Sequence, residues 1–462
     1  MRQQSILIRN YVQLLWLMRG AMNNPPNRYP KGRGIFDYMT GTYTGEQNRP
    51  ADPINLVDEG VAEGSRFQES SRRQLNTKKI TVFATRRGGL QKENLIKIDG
   101  IEFNILPVPC KVIGSDTDHA VWEFADENNF VSGFFAAKSE KLSEDAEPLF
   151  VSYSESEEQR LLIGVFDGMG GAGAAKVEKK NSHTEAYIAS RLLRYTLLVL
   201  GIEQIANLRI SKRQKAISTF DIKIKTENYL KKMSKKYEIG TSGTTKIRGT
   251  LTKTLPSTLA CAEVLIKKND KGHLQTQIYP MWAGDSRIWV MTPEYGLQQV
   301  TKDDVDLADP LEQLRQDPPM NNVISASVDF SIREHHVELL GPCLVIAATD
   351  GVSGYVRSPG EVELLVLRAV STAHIERKPL SETLFDSITK LANDDSSCVV
   401  ASIGFEDLSS LNRAFENRLR LVEDRYSRLQ VQNDDSDLSV KIDEIWSQEK
   451  TDYCALLPRG GL

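Results

Sequence analysis

Two short runs in this chain are apolar throughout, and both stop on Asp-Gly. Residues 161–166 read Leu-Leu-Ile-Gly-Val-Phe and lead into Asp167-Gly168; residues 343–348 read Cys-Leu-Val-Ile-Ala-Ala and lead into Thr349-Asp350-Gly351. A short run that is apolar at every position reads as a buried strand. A third run, 398–403, is preceded by Asp394-Asp395, and a fourth, 149–151, follows Glu144-Asp145 within a few residues. Carboxylates at strand ends have fixed backbones and can converge at one edge of a sheet. A set of oxygen donors of this kind suits hard cations such as Mg²⁺ or Mn²⁺. Taken singly, an Asp-Gly is a turn signal; order and spacing together give the pattern its weight.

The segments between these runs are mixed. Ile188, Leu192, Tyr195 and Val199 recur at helical spacing and share one face. Residues 208–236 are a Lys-rich helical stretch, and 239–256 are a loop rich in Gly, Thr and Ser. Strand-like runs follow at 258–266, 276–283 and 287–292, the last two joined by the turn Ala283-Gly284-Asp285-Ser286. Helical spacing returns at Leu384, Ile388 and Leu391. Strands cluster in meanders and do not alternate strictly with helices, which predicts an α+β layered domain with largely antiparallel sheets. Residues 1–110 read as an irregular basic N-terminal extension, although Ile96, Ile98, Ile101, Phe103, Ile105 and Val108 fall on a rough alternation that suggests strands. The layered domain is placed at 111–405. Residues 406–462 read as a helical appendix with Leu408, Leu411, Phe415, Leu419, Leu421, Tyr426 and Leu429 on its apolar side.

Composition narrows the class. The chain has 462 residues with a formal net charge of −4, so no global basic excess argues for nucleic acid. Five cysteines, scattered and without a CxxC pair, indicate neither a disulfide framework nor a zinc ribbon, and fit a reducing, cytoplasmic setting. His335-His336 offers no zinc site, since alternation points its members to opposite faces. The apolar stretch 6–18 is far short of the roughly 20 residues a membrane span needs. The first 36 residues lack acidic side chains but carry six Lys and Arg. Two readings stand: a helix docking on its own domain, which is favoured, or a transit peptide.

The motifs now become specific. Val165-Phe166-Asp167-Gly168-Met169-Gly170-Gly171 resembles the signature of the metal-dependent protein Ser/Thr phosphatases, the PPM or type 2C family. Ser143-Glu144-Asp145-Ala146 is similar to the family's N-E-D motif, and Pro256-Ser257-Thr258-Leu259-Ala260 to its G-T-T-L strand. Gly284-Asp285-Ser286-Arg287 matches G-D-S-R in full. Val300-Thr301-Lys302-Asp303-Asp304, Ala348-Thr349-Asp350-Gly351-Val352 and Asp394-Asp395-Ser396-Ser397-Cys398-Val399 follow in the family's order. The Gly-Met-Gly-Gly form and the helix beginning Ala186-Tyr187-Ile188-Ala189-Ser190-Arg191 resemble bacterial members.

The resemblance implies a four-layer α-β-β-α sandwich of two mainly antiparallel sheets flanked by helices. It implies two Mn²⁺ or Mg²⁺ ions, with Asp167 bridging both and Asp350 and Asp394 completing one shell. Glu144 and the Gly168 carbonyl would serve the other, and Asp145 would hold water nearby. The implied reaction is hydrolysis of phosphoserine and phosphothreonine in proteins by a metal-activated water. No Cys-x5-Arg loop offers a protein nucleophile.

The chain departs from the family at three places. Glu140 stands where an Arg usually clamps the phosphate, leaving Lys138 or Lys141 as its replacement; Lys138 is preferred. Met169 replaces a His, as in bacterial members. Gly354 replaces an Asp that helps hold a third metal, so a third ion at Asp285 lacks its usual partner. The competing readings are a non-catalytic binding or regulatory module on the same fold and a small-molecule phosphatase. The basic helical stretch 208–236 is a candidate surface for an acidic partner, the plainer reading being a solvated helix face.

Overall fold

In this computed structural model the described residues are 79–83, 94–98, 101–106, 119–125, 129–138, 143–155, 158–177, 183–211, 217–239, 253–427, 429 and 435–459. The basic N-terminus and most of the 239–256 loop lie outside them. In chain order the elements are β1 (Lys79–Phe83), β2 (Asn94–Ile98), β3 (Ile101–Leu106), β4 (His119–Ala125), β5 (Asn129–Ala136), β6 (Ala146–Glu155), β7 (Glu158–Phe166), β8 (Lys176–Val177) and β9 (His183–Thr184). Next come α1 (Glu185–Ser211), α2 (Thr219–Tyr237), β10 (Leu259–Lys268), β11 (Leu274–Ala283), β12 (Arg287–Thr292), β13 (Gly296–Gln299) and α3 (Pro310–Gln316). The chain continues with β14 (Arg333–Glu334), β15 (Val337–Leu340), β16 (Cys343–Ala348), α4 (Asp350–Ser353), α5 (Glu361–Glu376), α6 (Leu380–Thr389), β17 (Ser396–Ile403), α7 (Leu408–Ser427) and α8 (Asp435–Tyr453).

The described strands form two large sheets. The first runs β14-β11-β10-β7-β6-β1-β3-β2, with β15 also pairing β11; the second runs β13-β12-β16-β17-β5-β4. All their pairings are antiparallel except β1 with β3. The sheets pack face to face, which explains the uninterrupted apolar runs. In β16, Cys343, Val345 and Ala347 point between the sheets with Trp122, Ile163 and Val399. Leu344, Ile346 and Ala348 point the other way, into a second core with Val366, Leu367 and Leu384 of α5 and α6. Both faces are covered, so neither set of side chains meets water. The Val, Leu and Ile side chains among them contribute about 1.5–3 kcal/mol each when fully buried.

The outer layers are α1 and α2 on the first sheet and α5 and α6 on the second. The four-layer α+β architecture is as the sequence predicts. Helix α1 differs in detail: Ala186, Ala189 and Leu193 are as buried as Ile188, Leu192 and Val199. It lies between β6 and β7 on one side and α2 on the other, so a single apolar stripe understates its burial. The Lys-rich stretch divides, α1 ending at Ser211 and α2 starting at Thr219, where Ser218 Oγ accepts from Phe220 N. Leu391 falls beyond the end of α6 and is exposed.

Two flanking segments are built into the layers. β1 pairs β6 from Ile80↔Tyr153 to Phe83↔Phe150, so strands within 79–106 widen the first sheet. In α7 and α8, Leu411, Phe415, Val422, Tyr426, Ile442 and Trp446 join the core that holds α5 and α6. Leu411, Phe415, Tyr426 and Leu429 are buried as expected; the departure is at one position, where Val422 is buried and Leu421 exposed.

Strand registers bring the acidic ends together. Ala146 pairs Phe166, so residue 145 lies beside 167. Arg287 pairs Ala348, Ala348 pairs Cys398 and Ser396 pairs Ala136. The start of β12, end of β16, start of β17 and end of β5 therefore lie in one row along the same edge of the second sheet.

Candidate metal centre

Asp145 is the deepest carboxylate of the group, 1 % exposed. Its Oδ2 accepts from Thr349 Oγ1 at 2.9 Å, and it shares a hydrogen bond with Asp167. Asp167 follows β7, and its carbonyl accepts from Ser257 Oγ at 2.5 Å and from Thr258 N at 2.9 Å. These bonds hold the Asp-Gly turn against β10, where Gly168 bridges Ser257. A side chain at Gly168 would overlap the Glu144 and Ala186 carbonyls, which is the physical reason for glycine there.

Electrostatics identify the cluster. Burial lifts Asp167 well above the usual carboxylate range, and Asp350, Asp145 and Asp285 add to it. Asp145 is raised by burial and then by Asp395 and Asp350; Asp285 by burial and then by Asp350 and Asp303. Asp350, at the start of α4, is lifted to about 6 by burial, with Asp394 next. Like charges gathered out of water disfavour one another, and a cation or a proton relieves them. Glu144 stands on the other side. Its Oε1 accepts from Thr184 Oγ1 at 2.6 Å; burial raises it, the Thr184 bond opposes this, and Asp395 and Asp394 raise it further.

Several contributors were not among the expected site residues. Asp395 accepts from the backbone N of Lys138 at 2.8 Å and of Glu144 at 2.6 Å, tying the β5 end to the β6 start. Thr349 also accepts from Ser397 N at 2.9 Å, joining the ends of β16 and β17. Arg287 is buried against Asp303, with Nη2 to Oδ2 at 2.6 Å. Burial alone would lower its affinity for the proton, and Asp303 more than reverses this. It places a fixed positive charge near Asp285 and Asp350. Position within a motif was the available signal: Asp395 follows Asp394, Thr349 precedes Asp350, and Arg287 closes the Gly-Asp-Ser-Arg turn.

Lys138 lies just past the end of β5, with Nζ 3.8 Å from Asp394 Oδ1, and both side chains are about half exposed. Strand alternation, the ground for preferring it, does not apply there, because Lys138 and Glu144 sit in non-strand backbone. Glu140 and Lys141 lie outside the described residues. Gly354 caps α4, donating its N–H to the Asp350 carbonyl at 2.6 Å.

Among the described residues no three His, Cys, Asp or Glu side chains close around one point as an ion requires. The chemistry of the set nonetheless fits hard cations. The donors are carboxylates, two of them share a hydrogen bond, and Asp285 Oδ1 is buried without a hydrogen-bond partner.

The fold and site define a two-sheet α+β sandwich with a buried carboxylate cluster at one end. Among solved structures it is similar to the serine/threonine phosphatase PstP/Ppp of Mycobacterium tuberculosis: 14 % identity, 60 % of this chain and 99 % of that one, TM-score 0.36. It is likewise similar to PppA, a key regulatory component of the T6SS in Pseudomonas aeruginosa: 16 % identity, 61 % and 100 % coverage, TM-score 0.36. A serine/threonine phosphatase of S. agalactiae matches at 15 % identity, 60 % and 99 % coverage and TM-score 0.37. No protein-family model and no curated protein matches the chain.

Proposed function

We propose that the chain is a metal-dependent phosphatase of phosphoserine and phosphothreonine in proteins. The observation that carries the reading is the convergence of buried carboxylates at one end of the sandwich: strand register sets residue 145 beside 167, Thr349 ties Asp145 to the end of β16, and Asp350 raises Asp145, Asp167 and Asp285. Asp167, Asp350 and Asp394 would hold one Mn²⁺ or Mg²⁺; Asp167, Glu144 and the Gly168 carbonyl would hold a second, with Asp145 bracing Asp167. Asp285 is the remaining carboxylate for a third. Bound cations supply neutralisation of the phosphate charge and activation of water.

The chain's own residues do the rest. Thr349, Ser257 and Asp395 fix the backbones that carry the carboxylates, so little reorganisation is left for the reaction. Arg287 with Asp303 keeps a buried positive charge behind Asp285 and Asp350. Lys138, at the open side beside Asp394, offers its ammonium to the phosphate; as a point charge it attracts without the two-pronged grip of an Arg. The testing experiment is hydrolysis of an aryl phosphate and of a phosphothreonine peptide, with Mn²⁺ and after chelation. Metal-dependent turnover of both is expected. Full activity after exhaustive chelation sinks the metal reading, turnover of the aryl phosphate alone sinks the protein substrate, and no turnover of either favours a binding module.

A further inference from the structure

The segment 303–324 leaves the candidate site and returns to it. At its start, Asp304 N donates to the Gly284 carbonyl at 3.0 Å and the Asp304 carboxylate accepts from Gly284 N at 3.0 Å, one residue before Asp285. At its end, Ile324 and Ser257 exchange backbone bonds of 3.0 and 3.1 Å, and the Ser257 hydroxyl holds the Asp167 carbonyl. Both stems are thus bonded to the turns that carry site carboxylates. Between them lies α3, closed by Asp317 in a left-handed conformation, and the Asp317 charge reaches Asp350 and Tyr355.

The tip is held from elsewhere. Asp309 caps α3 through Leu311 N at 2.8 Å, and the same carboxylate pairs with Lys450 Nζ at 2.6 Å and accepts from Trp446 Nε1 at 3.1 Å. Arg315, near the other end of α3, pairs with Asp443 at 2.9 Å. All three partners belong to α8. That helix is in turn anchored to the second sheet, where Trp289 Nε1 donates to Tyr453 Oη at 2.9 Å and Gln298 Nε2 to the Asp452 carbonyl at 3.0 Å.

We propose that α8 is a strut for this loop: by gripping α3 through Asp309 and Arg315 it sets the position of the loop over its stems at the Asp285 and Asp167 turns, and so the binding of a phosphorylated protein segment there. Lys450, Trp446 and Asp443 are positioning residues and touch no reacting atom. An exposed ion pair alone is weak, so the grip depends on polar contacts converging at both ends of a two-turn helix, with Leu311 buried in the core that includes Ile442 and Trp446. The kinetic part of this inference rests on the phosphatase reading; the strut itself does not.

The test uses the full chain with Mn²⁺ and the double variant Lys450→Ala/Asp443→Ala. Amide exchange of residues 306–317 is expected to quicken about tenfold while β16 and β17 keep their protection. KM for a phosphothreonine peptide is expected to rise about three- to tenfold, with kcat and the KM for a small aryl phosphate within about twofold of the parent. The reversed pair Arg315→Asp/Asp443→Arg is expected to restore part of both. Unchanged exchange at 306–317 overturns the strut, and quicker exchange with an unchanged peptide KM overturns its role in substrate binding. If the parent hydrolyses nothing, the phosphatase reading fails, and the exchange measurement still decides the strut.

Discussion

A side chain missing from one position shapes the site as much as those present. A Cβ on Gly170 would overlap Glu144 Oε2, so Gly170→Ala must push that carboxylate away from the bond it receives from Thr184. The expected result is a roughly tenfold to hundredfold rise in the Mn²⁺ needed for half-maximal activity, with little change in melting temperature. Mn²⁺ titration against an aryl phosphate measures it, and an unchanged midpoint would remove Glu144 from the metal set. Asp350 makes a prediction of opposite kind. Its carboxyl, normally near 3.8, is held at about 6 in the fold, so between those values the folded chain binds more protons than the unfolded one. Its contribution to stability is then fully present below pH 3.8 and lost as pH rises through 6, an effect of about 1–3 kcal/mol. In chelator, Asp350→Asn should remove that slope and stabilise the chain at pH 7; with Mn²⁺ present it should abolish activity. Urea midpoints of parent and variant from pH 4 to 7.5 give the difference, and a variant less stable than the parent at pH 7 would make the residue structural.

Elements show where sequence reading succeeds and where it stops. The carboxylates at the ends of β7, β16 and β17 are legible because an apolar run has only one place to put a charge. Asp395 is not, since its work is done through the backbone N–H groups of Lys138 and Glu144, which no side-chain pattern records. Helix α7 is legible as amphipathic, yet Val422 faces the core where Leu421 was expected, because burial is decided by the partner surface. The alternation at Ile96, Ile98, Ile101, Phe103 and Ile105 marked β2 and β3, whereas nothing marked β1 or its pairing to β6. Phe415 tests how far the C-terminal helices share the core. It is 1 % exposed, so Phe415→Ala should cost about 3–5 kcal/mol in urea unfolding. A cost below about 1 kcal/mol, the level of an exposed position, would make α7 peripheral.

For the whole molecule, the proposed metal centre would link stability to metal through the cluster. A cation that binds only the folded chain stabilises it by about 2.7 kcal/mol at a hundred times its dissociation constant. Chelation should therefore lower the melting temperature at pH 7 and do so less at pH 5, where protons take over part of the neutralisation. An equal loss at both values would count against the carboxylates as the metal's ligands. One bond described above also has a bearing on how the chain is made. The carboxylate of Asp395 closes on the backbone of Lys138, 257 residues earlier, and β17 must slide between β5 and β16 to bring it there. At a synthesis rate of about 5–20 residues per second, β5 waits on the ribosome for roughly 13–50 seconds before its neighbour exists. Through that interval Phe130, Phe134 and Phe135 lie on a strand with one edge bare, the kind of surface that nascent-chain chaperones cover. A transcript cut just before codon 394 then yields a chain without β17, in which β5 and β16 have no strand to join them and Asp394 and Asp395 are missing.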